Sequence, residues 1–143
     1  MGLFDFLKNV GRKTEGEPSA DIKGQVEAAL AGQVESLYVT VNDDGVVRLA
    51  GMAKDQGAWE KAILLAGNVS GVSNVDSTHL HFPAPEPEPK FYTIQSGDSL
   101  SKIAKEVYGD AMKWEALFEA NKEVIENPDL IYPGQQIRIP DDV

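Results

Sequence analysis

Apolar residues recur along the chain with two periods, and the places where the period changes divide it into elements. Over residues 19–31, Ile22, Val26, Ala29 and Leu30 fall on one helical face, with Ser19 as a candidate N-cap and Gly32 as a stop. The next stretch, LYVTVNDDGVVRLAG, alternates instead: Leu37, Val39 and Val41, then Val47 and Leu49, lie about an NDDG turn. That pattern predicts a β-hairpin. A helical period returns over about 56–66, burying Ala58, Ala62, Ile63 and Leu65 or their neighbours, and Gly67-Asn68 offers a left-handed stop. Val72, Val75 and Leu80 then suit a closing strand.

Residues 83–90 read PAPEPEPK. Proline at alternate positions removes donors and fixes φ, so the segment is predicted to be a semi-rigid polyproline spacer between domains. Beyond it, Tyr92, Thr93, Ile94 and Gln95 suit a strand, and Asp98 is placed to cap a helix with Leu100, Ile103, Ala104 and Val107 on its apolar stripe. Tyr108-Gly109 ends that helix, Trp114, Leu117 and Phe118 line a second one before Asn121, and residues 137–139 form the last strand. At the front, Leu3, Phe6, Leu7 and Val10 recur at helical spacing with Phe4 nearby. They predict a short amphipathic helix that stops at Gly11 and docks its aromatics on the adjoining domain. An interfacial membrane helix is the less favoured reading, because the segment is short and the body behind it acidic. The prediction is an α+β chain with a docking segment at 1–17, an αββαβ domain at 18–82, a Pro/Glu linker at 83–90 and a βααβ domain at 91–143.

Composition narrows the function classes. The 143 residues carry 23 acidic and 13 basic side chains, a net charge of −10, which disfavours nucleic acid and anionic membrane surfaces as partners. Cysteine is absent, so there is no disulfide, thiolate metal site or thiol nucleophile. No apolar run approaches the ~18 residues of a membrane span. In MGLFDFLKNVGRKTEGEP the apolar residues precede the basic ones, the reverse of a secretory signal, and Phe6 stands where myristoylation wants Ser or Thr. The expected location is the cytoplasm. Asn42-Asp43-Asp44-Gly45 has acids in succession rather than at alternate calcium-ligand positions, so a hairpin turn is preferred. His79 and His81 share one face of a strand without a third ligand nearby in sequence, and are read as facing solvent. No nucleophile elbow or glycine-rich phosphate loop is present, and the chain is read as a non-enzyme.

The first domain resembles a BON domain: it has the αββαβ order, a strand ending in Leu49-x-Gly51, and a V-x-x-V strand after a Gly-Val step, within VRLAGMAKDQGAWEKAILLAGNVSGVSNV. The second resembles a LysM domain. Its FYTIQSGDSLSKIAKEVYGD carries Gly97-Asp98-Ser99-Leu100 in place of the family's GDTL, and IYPGQQIRIP matches the family's ending. That resemblance implies an N-acetylglucosamine groove between the loops holding Gly97, Asp98, Ser99 and Leu100 and those holding Ile131 and Tyr132. With MGLFDFLKNVG at the front, the whole order resembles the cytoplasmic potassium-binding BON–LysM proteins, which implies K⁺ binding in preference to Na⁺ with a change of shape, as a sensor or buffer. The expected form is a monomer. A weakly hydrated monovalent cation suits neutral carbonyl oxygens, which are set free at helix ends and glycine turns. Two such places stand out. The expected donors are the carbonyls of Leu7, Val10 and Arg12 from one turn and of Gly67, Val69 and Val72 from the other, the two turns facing one another. The competing expectation is an envelope protein that binds peptidoglycan through the LysM groove.

Overall fold

The computed structural model describes residues 3–8, 10–83 and 90–140. The linker expected at 83–90 falls mostly on 84–89, outside the described residues, as does Asn9 of the first predicted turn. The chain divides into two compact units, Met1–Pro87 and Glu88–Val143. Each mixes helix and strand, which makes the protein α+β.

In the first unit a four-stranded sheet carries two helices. The order across it is β1 (Leu3–Asp5), β4 (Asn74–His81), β3 (Val46–Ala53) and β2 (Val34–Val41). β2 and β3 form the expected antiparallel hairpin. Asn42 closes it by turning its side-chain Oδ1 onto the amides of Asp44 and Val46, at 2.9 and 3.0 Å. β3 and β4 are parallel and joined through α2 (Gln56–Gly67), while α1 (Pro18–Ala29) packs against both α2 and β2. α1 begins earlier than Ser19: Glu17 caps it by accepting from Ala20 N at 3.1 Å, with Pro18 in the first turn, where no amide donor is needed. Ile22, Val26, Leu30, Leu37, Val47, Leu49, Ile63 and Val75 make the core.

The N-terminal segment is a strand rather than the predicted helix. β1 pairs antiparallel with β4, setting Leu3 opposite Asp76, Phe4 opposite Val75 and Asp5 opposite Asn74. Phe6 extends the ladder by donating its amide to Ser73 O at 2.9 Å. So short a helix would be marginal in water, whereas the open edge of β4 offers ready main-chain partners. The alternating Phe4 and Phe6 decide the outcome. Phe4 lies edge-on to Trp59 at 5.8 Å, and Phe6 is buried.

This second cover explains why α2 is apolar nearly all round. The sheet and α1 pack against it, as do the aromatics of the N-terminal segment, so Trp59 and Leu64 are buried while Leu65 is only half-buried. Trp59 donates Nε1–H to Leu80 O at 2.8 Å and also touches Phe82.

The second unit pairs β5 (Phe91–Thr93) antiparallel with β6 (Gln136–Arg138), and α3 (Leu100–Tyr108) and α4 (Trp114–Ala120) complete its core. Ser99, not Asp98, caps α3, accepting from Lys102 N at 3.2 Å. Asp98 is already committed to Tyr92 Oη–H at 2.7 Å and Gln95 N at 2.8 Å. Asn121 is fully buried and ties α4 to β6: its Nδ2 donates to Leu117 O and Arg138 O, and its Oδ1 accepts from Arg138 N.

Candidate functional site

α2 ends abruptly, and the way it ends builds the site. The Asn68 amide still bonds Leu64 O at 2.9 Å, as the helix requires. The next turn departs from that pattern. The Ser70 amide donates to Arg12 O at 2.8 Å and the Gly71 amide to Lys8 O at 2.6 Å. Continued helix would have sent those two amides to the carbonyls of Ala66 and Gly67. Their diversion releases the carbonyls at the negative end of the helix dipole.

The N-terminal turn is bound in return. Arg12 N donates to Asn68 O at 3.1 Å, and Arg12 and Val69 form an isolated parallel bridge. Gly11 sits at φ +115°, and a β-carbon there would lie 2.5 Å from Asn68 O, so only glycine lets the strands approach this closely. Val69 and Val72 bury their side chains in the core, leaving their main chain as the part of each residue available to the turn. Gly67 is not the left-handed stop expected from the sequence. It is the last helical residue, its φ is not positive, and its missing side chain leaves room for the ring of Phe6.

The two predicted turns therefore lie against one another. Of the six predicted donors, Leu7 O accepts from Val10 N at 3.3 Å, Arg12 O from Ser70 N, and Val69 O from Val72 N at 3.1 Å. A carbonyl has two lone pairs, so one amide does not exhaust it. Among the described residues no loop amide bonds the carbonyls of Val10, Gly67 or Val72. The charge of Arg12 is engaged on α1: its Nη2 meets Asp21 Oδ2 at 2.6 Å on the first turn of that helix. The hydrogen bond from that guanidinium holds the Asp21 carboxyl below the usual carboxylate range. Lys8, Asn68, Ser70 and Gly71 lie within the two predicted turns without being among the six expected donors, and Asp21 is not singled out by the sequence. Their parts are played by main chain or by a pairing across nine positions, neither of which leaves a periodic signal.

Side-chain clusters offer no rival cation site, for among the described residues no three His, Asp or Glu side chains converge as a metal would need. His79 and His81 are exposed. In the second unit, the predicted sugar-loop residues are largely engaged in the fold. Leu100 is buried in the core, Ser99 caps α3, and Gly97 O accepts from Lys102 Nζ at 3.2 Å. Asp98 pushes the Tyr92 phenol up to about 12 through their hydrogen bond. Ile131 and Tyr132 are half-buried on the connection into β6, and Tyr132 O accepts from Gln135 N at 3.1 Å.

The chain is built of two modules: residues 18–82 match the BON domain family and residues 92–140 the LysM domain family. The chain belongs to the BON–LysM family that includes the potassium binding protein Kbp of Escherichia coli, to which it is 38% identical across 99% of its own length and the whole of that protein. An uncharacterized Deinococcus radiodurans protein is 33% identical over 95% of this chain, which spans 58% of that relative. A Bacillus subtilis protein, YqbP, shares 38% identity over 61 residues, 36% of this chain. No helix among the described residues is long and apolar enough to cross a membrane.

Proposed function

We propose that this protein binds K⁺ in preference to Na⁺ through the main-chain oxygens of its two facing turns, acting by binding rather than catalysis. The donors are the carbonyls of Leu7, Val10, Arg12, Gly67, Val69 and Val72. The observation that carries the reading is the exchange of amides between the turns, which takes the exit of α2 out of helical bonding. Neutral carbonyls replace the loose hydration shell of K⁺ readily, whereas Na⁺ and divalent ions hold water or seek carboxylates more strongly. The Escherichia coli relative, matched over its full length, is named for potassium binding. In this reading the protein is a cytoplasmic monomer that senses or buffers the ion and changes conformation as it binds, because a ligand shifts an equilibrium toward the form that holds it best.

Melting temperature measured in matched KCl, RbCl and NaCl tests the proposal, since a ligand of the native state raises it. Wild-type protein is expected to respond to K⁺ and Rb⁺ beyond Na⁺, and Gly11→Pro to lose the difference. Equal melting in all three salts, or a full response in Gly11→Pro, refutes the site. Small-angle scattering in K⁺ and Na⁺ tests the change of shape, and identical profiles remove that part of the proposal.

The LysM match over 92–140 supports a second reading, capture of N-acetylglucosamine polymers by the loops holding Gly97, Asp98, Ser99, Leu100, Ile131 and Tyr132. Retention on purified peptidoglycan in K⁺-free buffer would favour it.

A further inference from the structure

We infer that Asp21 is a positioning residue for the cation site: its carboxylate draws the Arg12 guanidinium onto α1, so that the turn holding Arg12 offers carbonyl oxygen without a competing positive charge. The inference rests on the potassium reading above. Arg12 is central to that turn, since both its amide and its carbonyl are bonded to the exit of α2. The same residue carries a charge that no accessible pH removes. A side chain attached this close to the oxygens would repel an incoming cation unless it were tied elsewhere. Asp21 supplies the tie. It lies in the first turn of α1, its Oδ2 is 2.6 Å from Arg12 Nη2, and its Oδ1 also receives the Glu15 amide at 3.4 Å. Arg12 Nη1 is engaged as well, donating to Lys13 O at 3.3 Å.

Burial makes the pairing matter. The side chains of Arg12 and Asp21 are 34% and 8% exposed, so the charges are only partly screened by water. Lys8 and Lys13, which also stand beside the turn, are exposed and therefore solvated. With both members present the pair is neutral. With Asp21 neutralised, an uncompensated guanidinium is left beside the site.

Potassium affinity by calorimetry, in the full chain, separates this role from a structural one. Asp21→Asn is expected to weaken K⁺ binding on the order of tenfold, the size of a like-charge interaction in a partly solvated setting. Arg12→Leu in the same background removes the stranded charge while keeping the main chain, and is expected to restore affinity to near wild type. A merely structural Asp21 would not be rescued in this way. Wild-type affinity in Asp21→Asn, or a double variant as weak as Asp21→Asn, overturns the inference. If Asp21→Asn fails to fold, Arg12→Leu alone decides: it leaves the Asp21 carboxylate unpaired, so K⁺ binding tighter than wild type supports the inference, and equal or weaker binding overturns it. A wild-type chain that shows no K⁺ response brings down the potassium reading and this inference with it. Normal wild-type binding that is indifferent to Asp21 brings down only the latter.

Discussion

The ring of Phe6 occupies the space in which a β-carbon on residue 67 would have to lie. This one contact couples the last turn of α2 to the segment that continues β1, and so holds together the two chains of carbonyls that make the proposed site. Gly67→Ala is expected to push the ring out and to cost about 1–3 kcal/mol, the range for overpacking a filled core. Phe6→Ala leaves a hole instead and is expected to cost about 3–5 kcal/mol. Combined, the two changes should cost clearly less than their sum, because the added methyl then enters the space the ring has left. Urea denaturation of the four proteins measures this, and additive losses would show that the two residues are not in contact.

Acid should remove the contribution of the pair between Arg12 and Asp21. The folded state lowers the Asp21 pKa, chiefly through the Arg12 hydrogen bond, so folding is favoured wherever the unfolded carboxyl is ionised. That stability is present above the unfolded value of about 3.9 and fades as pH falls through the lower folded one. Wild type should exceed Asp21→Asn by roughly 1 kcal/mol at neutral pH, as for a partly exposed ion pair, with the gap closing on acidification. A gap that is constant from neutral pH to pH 3 would assign the effect of the substitution to something other than charge.

What the sequence made legible was whatever side-chain period records. The hairpin about Asn42, α2 and the stripe of α3 appear close to where they were expected, because each buries one face against a neighbour. β1 was misread because Leu3, Phe6, Leu7 and Val10 satisfy a helical spacing, while the alternation of Phe4 and Phe6 is too short to compete. What settled the matter was the free edge of β4, a main-chain property without a residue code. Asp98 and Ser99 are both capping residue types. Their roles were decided by the hydroxyl of Tyr92, which is held by the first and leaves the second to α3.

The sequence predicts the two turns as facing helix ends, but only the second ends a helix; the first follows β1, and the amide exchange that joins them leaves no sequence signal. Ser70 and Gly71 bond to Arg12 and Lys8 through main chain alone, so no side-chain identity announces it. The tie between Arg12 and Asp21 has the same invisibility for another reason: positions nine apart share no face of a regular element until the tertiary fold brings them together.

Tyr92 should titrate late. Its hydrogen bond to Asp98 raises the phenol to about 12, with burial adding to the shift. A raised folded value means that the contribution to stability is complete below the unfolded value of about 10 and is lost as pH rises through the folded one. The difference in phenolate absorbance between wild type and Tyr92→Phe is expected to have its midpoint near 12. In Asp98→Asn that midpoint should move back toward about 10, the value of a free phenol. An unmoved midpoint in Asp98→Asn would leave the carboxylate without a part in the shift.

Asn121 should dominate the stability of the second unit. It is fully buried, and its amide serves both the carbonyl and the amide of Arg138 as well as Leu117 O. Asn121→Ala takes one side chain from the protein yet leaves three main-chain groups without this partner, Leu117 O, Arg138 O and Arg138 N, the last two only part-buried, each at about 1 kcal/mol. The expected loss is therefore roughly 2–4 kcal/mol, above that of an ordinary surface change by several-fold. Asn121→Asp tests the direction of the bonds: a carboxylate can still accept from Arg138 N but cannot donate to Leu117 O or Arg138 O. It should consequently be no more stable than Asn121→Ala at neutral pH, as followed by the fluorescence of Trp114 during urea denaturation. Near-wild-type stability in Asn121→Asp would mean that the donated bonds contribute little and that the acceptor alone holds α4 to β6.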